Sequence, residues 1–370
     1  RYECVPMRFI KHVYKIHTYA QDGRLFEGKT PVSAFLNSSY DGSFIAGLME
    51  LRYIQSLPVE RIINYFESHG FTLKKPTAHK LMEKASSLFE NLYKCIRQTA
   101  LSDPYKAADE TYYKILVPEK NSKGKGVRKG YLWVVVGINT RMIYLLYDDG
   151  SRSEKVILNE LGGCKGIIQS DGYSPYRKLE SDAYPHITRI PCLQHIKRKF
   201  IDCGEDDPDA KRIVEMINTL YQNEHKHKIG VDGWTVEQNL VHRKKYAPDI
   251  LGEIKDVLDD IEERGDLLPK SELKEAITYL RNEWNAVVDI FNYGDTYLDN
   301  NIVERMNRYI SLSRKNSLFF GSHKGAERGA ILYTIALTCR MNKVNLFEYL
   351  TDVINRTAEW QPNTPLEKYR

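Results

Sequence analysis

Apolar residues recur at helical spacing over residues 43–98. Residues 43–55 predict a first helix, and Pro58 stands where a second helix begins. Gly70 ends that second helix. A third helix is predicted over Thr77–Thr99, where leucines and alanines follow one another three or four residues apart. Residues 43–98 are therefore predicted to be helical.

Two short helices around a glycine turn resemble a helix-turn-helix. Lys74, Lys75 and Lys80 stand at the start of the next helix, where they could contact DNA phosphates. We therefore expect a helix-turn-helix-like DNA-binding region over residues 43–103, with a plain helical bundle as the alternative. Residues 1–42 are interpreted as an N-terminal linker segment.

The hydrophobic period changes to that of strands from Lys106 onward. Three strands joined by short turns come first, and the later strands alternate with helices. This order predicts an α/β layer whose sheet begins antiparallel and continues parallel. The predicted strands are Ala107–Val117, Tyr131–Ile138, Met142–Tyr147, residues 166–172 and Ile187–Ile190, and the predicted helices are Ser153–Leu161 and Leu193–Asp202.

Residues 205–296 carry helical spacing and no strand signal. They are interpreted as an all-helical insertion into the α/β region, which then occupies residues 104–204 and 297–355. Residues 356–370 form a predicted tail. The helices expected in these parts are Pro208–Asn223, Pro248–Glu262, Ser271–Phe291, Ala326–Asn342 and Leu346–Asn355.

A polar helix is predicted from residue 298 onward, with Asp299 or Asn300 as its N-cap. Its apolar residues make one stripe, formed by Ile302, Met306, Tyr309 and Ile310. At about 100° per residue, Glu304 lies nearly opposite the centre of that stripe. An ordinary solvated face explains this pattern unless other carboxylates converge on Glu304.

Two further acids are candidates for such a site. Asp109 lies on or beside the first strand, and Asp171 lies at the C-terminal tip of a buried strand, where α/β sheets place ligands. Three carboxylates at one place repel one another unless cations compensate them. Oxygen ligands select hard ions, so Asp109, Asp171 and Glu304 predict a site for two Mg²⁺ or Mn²⁺ ions.

The overall composition does not identify the type of protein, but the distribution of positive charge along the chain is informative. The chain has 370 residues, a formal net charge of +5 and no apolar run long enough to cross a membrane. Positive charge is concentrated in blocks, which suits one polyanion-binding face. These blocks are Lys114, Lys120, Lys123, Lys125, Arg128 and Lys129, then Lys197, Arg198 and Lys199, and then Arg305, Arg308, Arg314, Lys315, Lys324 and Arg328.

The six cysteines include no Cys-x-x-Cys pair, which fits free thiols in a reducing compartment. Cys192 and His195 have a ligand-like spacing, but no second pair stands near them in the sequence. A buried cysteine and a histidine in a polar site are therefore favoured over a metal site.

Six short motifs, in order, resemble those of the insertion sequence 66 family of transposases, which are DDE transposases with an RNase H-like core. The resemblance spans roughly residues 30–349. The motifs are Ala108-Asp109-Glu110-Thr111, Gly130-Tyr131-Leu132-Trp133, Gln169-Ser170-Asp171-Gly172-Tyr173, residues 192–200 beginning Cys192-Leu193-Gln194-His195, Asp299-Asn300-Asn301 with Glu304-Arg305, and Arg314-Lys315-Asn316 with Leu318-Phe319.

The resemblance implies that Asp109, Asp171 and Glu304 are the catalytic triad, with the helical insertion between the second and third acids. It implies metal-dependent cleavage of transposon-end DNA and strand transfer into target DNA. A homodimer or larger oligomer on DNA, accessory transposition proteins and a bacterial cytoplasmic location follow from the same resemblance. We expect contacts to phosphates near the cut from His195, Arg308, Arg314 and Lys315, with an ordinary surface or sheet-edge position as the alternative for each. Lys197 and Arg198 are expected to be further DNA-binding residues.

The family usually has a small zinc-binding module before the core. Only Cys4 stands at the N-terminus here, so we expect the module to be absent or cut away and expect no zinc. Three other readings remain open. The chain could be a DNA-binding regulator that uses only residues 43–98, or a structure-selective nuclease on the same core. A tyrosine recombinase is disfavoured because none of the tyrosines has an Arg–His–Arg setting.

Overall fold

The structure is a computed structural model that describes residues 1–4, 6–29, 33, 35, 38–120, 124, 126–204 and 206–358. The strands are β1 (Thr18–Gln21), β2 (Arg24–Glu27), β3 (Tyr105–Leu116), β4 (Val127–Gly137), β5 (Met142–Leu146), β6 (Gly166–Ser170), β7 (Ile187–Pro191) and β8 (Phe319–Phe320). The helices of the first half are α1 (Gly42–Met49), α2 (Val59–Ser68), α3 (Lys75–Leu88), α4 (Glu90–Ser102), α5 (Glu154–Leu161), α6 (Ser174–Arg177) and α7 (Leu193–Ile201). Those of the second half are α8 (Pro208–Glu224), α9 (Val236–Glu263), α10 (Glu272–Ile290), α11 (Asn301–Ser317), α12 (His323–Met341) and α13 (Leu346–Ala358).

A mixed sheet forms the centre of the fold, with the strand order β5-β4-β3-β6-β7 and with β8 paired to β3. Strands β3, β4 and β5 are antiparallel neighbours, whereas β6, β7 and β8 continue the sheet in parallel. Short turns can join antiparallel strands, but the parallel β6 requires the crossover that α5 supplies. The predicted α/β layer with an antiparallel start and a parallel continuation is confirmed.

Helices cover both sides of this sheet. One buried apolar cluster joins β3, β4 and β5 to the N-terminal helices and to α11, α12 and α13. A second cluster joins Tyr105, Ile167 and Ile190 of the sheet to α7, α8, α9 and α10. The edge strand β5 is covered by α12, because the Leu145 N–H donates to the Thr334 hydroxyl at 2.9 Å. None of the helices in the described part of the chain is long and apolar enough to cross a membrane.

Several predicted bounds were wrong. The helix predicted over residues 77–99 is two helices, α3 and α4, which meet at Phe89. The helix predicted to start at Pro248 begins at Val236, so Pro248 lies inside α9. A capping box between Thr235 and Gln238 starts that helix.

Two strand pairs were not predicted. Within the linker segment, β1 and β2 form an antiparallel hairpin whose residues are exposed. The two-residue strand β8 directly follows α11 and pairs with Lys114 and Ile115 of β3. Both pairs are too short to produce a hydrophobic period. In the predicted tail, α13 continues to Ala358, and residues 359–370 lie outside the described residues.

Candidate active site

Asp109 lies on β3, and Asp171 directly follows the adjacent parallel strand β6. Ala107 of β3 is in register with Gln169 of β6, and each aspartate follows two residues later. Side chains two residues apart share one face of a sheet, and neighbouring strands lie about 4.8 Å apart. The fold therefore places the two carboxylates beside each other, and the charge of Asp171 contributes to the raised pKa of Asp109.

The helix α11 is fastened to β3 at the position of Asp109. The Asn300 side-chain amide donates to the Ala108 carbonyl at 3.0 Å, and the Asn307 amide donates to Oδ2 of Asp109 at 2.5 Å. Asn300, Glu304 and Asn307 stand at i, i+4 and i+7, which is one face of the helix. Glu304 thus lies between two anchors to consecutive residues of the strand.

The prediction that α11 packs only through its apolar stripe was incomplete. Its fully buried residues are Val303, Ile310 and Ser313, while Ile302 and Met306 are half-buried. The polar face holding Glu304 lies against the sheet and is not a solvated face. Periodicity could not show this, because a helix packed on two sides carries both apolar and polar contacts.

The surroundings of Asp109 disfavour its ionised form. Burial, and then the charges of Glu110 and Asp171, raise the pKa of Asp109 to about 8, although hydrogen bonds from the Glu110 N–H and from Asn307 oppose the shift. Its two oxygens accept these hydrogen bonds at 2.8 and 2.5 Å. Neither donor carries a charge, so the carboxylate is poised to accept a cation.

Glu110, the neighbour of Asp109 in the chain, forms an ion pair with Arg152. Arg152 donates to Oε1 of Glu110 at 2.6 Å, and its guanidinium lies 4.2 Å from the ring centre of Tyr173. Burial raises the pKa of Glu110, and the hydrogen bond from Arg152 opposes that rise. Arg152 was not among the predicted site residues, since a lone arginine in a loop carries no periodic signal.

A buried network fixes the backbone at Asp171. Arg189 donates to the Asp171 carbonyl at 2.8 Å and to Glu283 at 2.5 Å, and both of these charged side chains are almost fully buried. The Gly172 N–H donates to the Tyr279 hydroxyl at 2.8 Å. A Cβ at position 172 would lie 2.4 Å from that hydroxyl, so only glycine fits there.

A cavity of about 390 Å³ opens beside Asp171. Four potential cations line it, namely Arg152, His195, Arg198 and Lys199. Two carboxylates, those of Asp171 and Asp202, also line it, so potential cations outnumber acids in this open cavity, which suits a phosphate-bearing ligand.

The carboxylate of Glu304 points toward α7. Its Oε1 lies 3.6 Å from Nδ1 of His195, and potential ligand atoms of Cys192, His195 and Glu304 all lie within 4.8 Å of one another. Among the described residues, this is the group of three such ligands that meets that limit, and it does not include Asp109 or Asp171. The fold thus brings the backbones of the three acids together, while the Glu304 carboxylate lies beside His195 and does not form a group with the two aspartates that meets this limit.

The other basic residues predicted to contact DNA near the site differ in solvent exposure and in whether they already contact the protein. Arg198, Arg308 and Lys315 are exposed and Lys197 is half-buried. Arg314 is occupied, because its Nη1 donates to the Tyr112 carbonyl at 2.5 Å and its guanidinium lies 3.9 Å from the ring centre of Tyr112.

The lysines predicted for the helix-turn-helix-like region lie at the start of α3. Lys74 is the N-cap residue, and Lys75 pairs with Glu60 of α2 at 2.7 Å. Lys80 is exposed on the second turn. Of the basic blocks, Lys123 and Lys125 lie outside the described residues.

Comparison with known families gives a match over most of the chain. A family model described as "Transposase IS66 family" matches residues 37–328. That range contains Asp109, Asp171 and Glu304.

Curated relatives are also similar to this chain. "Uncharacterized protein y4jD" of Sinorhizobium fredii (strain NBRC 101917 / NGR234) is 26% identical over 325 residues, which cover 84% of this chain and 61% of the relative. "Uncharacterized protein y4qI" of the same strain is 26% identical over 384 residues, which cover 99% of this chain and 69% of the relative. The chain therefore spans about two thirds of the length of these relatives.

Proposed function

Because the chain belongs to the IS66 family of transposases, we propose that it is a DDE transposase, which cleaves transposon-end DNA in a divalent-metal-dependent reaction and joins the freed end to target DNA. Asp109, Asp171 and Glu304 are its catalytic acids in this proposal. The single observation that carries it is the fastening of the Glu304 helix to the strand of Asp109, next to the strand end that bears Asp171.

The sheet supports an RNase H-like core. Three antiparallel strands are followed by two parallel strands, and the first acid lies on the central strand β3. Helices α8, α9 and α10 lie between β7 and α11 in the chain, which supports the proposed all-helical insertion between the second and third acids.

The residues of the site fit Mg²⁺ or Mn²⁺. Asp109, Asp171 and Glu304 offer oxygen donors, which these hard ions prefer. The raised pKa of Asp109 marks a carboxyl group that lacks a nearby positive charge. When bound, two such ions would stabilise the attacking and leaving oxygens of an in-line phosphoryl displacement.

The chain's own side chains would bind and orient the DNA. Arg152, His195, Arg198 and Lys199 line the cavity beside Asp171, and in this proposal they would bind phosphate oxygens near the scissile bond. Arg152 is held by Glu110 and stacked on Tyr173, so it presents its guanidinium in a fixed orientation. To join the two aspartates, the Glu304 carboxylate would leave the side chain of His195.

A strand-cleavage assay tests the proposal. Linear DNA carrying a transposon end is incubated with the full chain and Mg²⁺, and the nicked strand and joined product are separated on a denaturing gel. Asp109→Asn, Asp171→Asn and Glu304→Gln should each lower cleavage by at least about a hundredfold.

The matched control for these substitutions is Asp295→Asn, which removes an exposed carboxylate from the loop before α11. This variant should cleave like the wild type. Cleavage retained by Asp109→Asn in Mg²⁺ would overturn the proposal. Hydrolysis without joining of a pre-cleaved end would favour a structure-selective nuclease, and DNA binding without metal-dependent nicking would favour a regulator.

For DNA recognition, we propose that α2 and α3 form the helix-turn-helix. The turn between them contains Gly70 with a φ of 82°, and Lys74 and Lys80 are exposed at the start of α3. Replacing Lys74 and Lys80 together by Gln should weaken binding of end DNA in a gel-shift assay without changing helix content. Homo-oligomerisation on DNA and accessory transposition proteins remain predictions.

A further inference from the structure

We propose that Cys192, His195 and Glu304 form a binding site for a thiophilic divalent metal ion of the Zn²⁺ class, separate from the hard-ion site of the two aspartates. Potential ligand atoms of these three residues lie within 4.8 Å of one another. Cysteine sulfur, imidazole nitrogen and carboxylate oxygen are the three donor types that zinc takes in proteins.

The spacing of the donors suits a tetrahedral ion. Ligands about 2.0–2.3 Å from a tetrahedral zinc ion lie about 3.3–3.8 Å from one another. Nδ1 of His195 and Oε1 of Glu304 are 3.6 Å apart. That distance is too long for a hydrogen bond between them, but it is the separation that a shared metal ion would require.

Both of these atoms lack another partner. Within the described part of the chain, His195 Nδ1 and Glu304 Oε1 are buried and accept or donate no hydrogen bond. Two buried polar atoms that face each other without a bond each incur an uncompensated desolvation cost. A metal ion between them would satisfy both at once.

The backbone holds the three donors in place before any metal binds. Cys192 is the N-cap residue of α7, and His195 follows in the first turn. The Leu193 N–H donates to the Leu298 carbonyl at 2.9 Å, and the Asn300 N–H donates to Sγ of Cys192 at 3.2 Å. These two bonds tie the start of α7 to the start of the Glu304 helix, so ion binding needs little rearrangement.

The donor set separates this site from the hard-ion site. Thiolate ligands select soft and borderline ions, whereas Mg²⁺ and Mn²⁺ prefer oxygen. Because only the thiolate binds a metal ion, the incoming ion displaces the Cys192 thiol proton to solvent. His195 also lines the cavity beside Asp171, from which water can supply the fourth ligand.

A consequence for regulation rests on the proposed function. The Glu304 carboxylate cannot bind a metal ion together with Cys192 and His195 while it also binds metal ions together with Asp109 and Asp171. Ions of the Zn²⁺ class should therefore inhibit DNA cleavage by holding Glu304 on α7, and Mg²⁺ should not compete for the sulfur.

Co²⁺ titration of the full chain in the presence of excess Mg²⁺ tests the site without any activity measurement. Bound Co²⁺ with a thiolate ligand gives a sulfur-to-metal charge-transfer band in the near ultraviolet and visible bands of tetrahedral cobalt. We expect these bands at one equivalent in the wild type, their loss on addition of one equivalent of Zn²⁺, and loss of the charge-transfer band in Cys192→Ser.

Further variants make the assignment specific. His195→Ala and Glu304→Gln should weaken Co²⁺ binding at least about tenfold while far-ultraviolet circular dichroism stays unchanged. Cys203→Ser is the matched control, because Cys203 is a half-buried thiol just beyond the end of the same helix, and it should bind like the wild type. Absence of the bands in the wild type, their persistence in Cys192→Ser, or their loss in Cys203→Ser would each overturn the proposal.

The regulatory step has its own readout. Micromolar Zn²⁺ should inhibit Mg²⁺-dependent cleavage by the wild type, and Cys192→Ser should be at least about tenfold less sensitive to Zn²⁺ relative to its own zinc-free rate. Equal sensitivity of the two proteins would overturn the regulatory step. A chain that never cleaves DNA but shows the cobalt bands would overturn the proposed function and leave the metal site standing.

Discussion

Asn307 donates a hydrogen bond of 2.5 Å from its side-chain amide to Oδ2 of Asp109, and it stands three residues after Glu304 on the same helix. This bond joins the helix of the third acid to the strand of the first. It also opposes the effect of burial on the pKa of Asp109, because burial raises this pKa and a hydrogen bond to the ionised carboxylate lowers it. Asn307 therefore acts as a positioning residue for two of the three acids.

Removal of this hydrogen bond should make Asp109 harder to ionise. In Asn307→Ala, we expect the pKa of Asp109 to move above about 8 by up to about one unit, which corresponds to about 1.4 kcal/mol. Carbon-13 NMR of carboxyl-labelled aspartate, followed across pH without divalent ions, would measure the midpoint directly. Asn301→Ala, which removes an exposed amide from the first turn of the same helix, should leave the midpoint unchanged. An unshifted midpoint in Asn307→Ala would show that the bond does not act on the carboxylate.

The raised pKa of Asp109 also predicts how stability depends on pH. In the unfolded chain Asp109 ionises near its ordinary value of 3.8, whereas in the folded protein it keeps its proton up to about pH 8. Between these two values the unfolded state binds fewer protons than the folded state, so the free energy of unfolding falls as pH rises. The contribution of Asp109 is therefore fully present below about pH 4 and is lost as pH rises through about 8.

Asp109→Asn should remove that slope. We expect its free energy of unfolding to exceed that of the wild type by a growing margin from pH 5 to pH 8, reaching a few kcal/mol at most. Asn307 can accommodate the new amide, since its Oδ1 is buried and, in the described part of the structure, accepts no hydrogen bond. Urea denaturation at several pH values without divalent ions measures the effect. Parallel curves for Asp109→Asn and the wild type would contradict the prediction, and Asp295→Asn serves as the exposed control.

The neighbourhood of Asp109 and Asp171 could be predicted from the sequence because it follows from strand patterning alone. An apolar run that ends at an acid predicts an acid at a strand tip, and Asp171 does directly follow β6, next to the strand β3 that carries Asp109. Helical spacing and an N-cap signal located the helix of Glu304.

The contacts that position these acids could not be predicted from the sequence. Asn307 meets Asp109 across 198 positions, and Arg189 meets Glu283 across 94. Such pairs depend on which helix packs on which strand, and the hydrophobic period of a sequence does not specify that arrangement. The approach of Glu304 to Cys192 and His195 was missed for the same reason, because the third ligand comes from a different helix.

Substitution of Arg189 tests the buried hydrogen-bond network that holds the backbone at Asp171. Arg189→Met would leave Glu283 as a buried charge without its main partner, which typically costs about 3–5 kcal/mol. It would also remove the donor to the Asp171 carbonyl. The double variant Arg189→Met with Glu283→Leu should recover much of the loss, because it removes the unpaired charge. Arg177→Met, which takes away a half-exposed arginine 3.9 Å from the same glutamate, should cost less than about 1 kcal/mol. Urea denaturation of the four proteins compares these values.

Arg314 and Lys315 are neighbours in the sequence but should behave differently when replaced. Arg314 is held by the carbonyl and the ring of Tyr112, whereas Lys315 is exposed. Arg314→Gln should lower the free energy of unfolding by about 1–2 kcal/mol, since it removes a charged hydrogen bond and a cation–π contact that pin α11 to β3.

Lys315→Gln should leave stability within about 0.5 kcal/mol of the wild type. Its effect should appear in DNA binding, where loss of one phosphate contact reduces the slope of log affinity against log salt concentration by about one. Fluorescence anisotropy of labelled end DNA at several salt concentrations measures that slope, and thermal denaturation measures stability in parallel. If Arg314→Gln matched Lys315→Gln in both measurements, the guanidinium of Arg314 would be a DNA contact and not a tie between helix and strand.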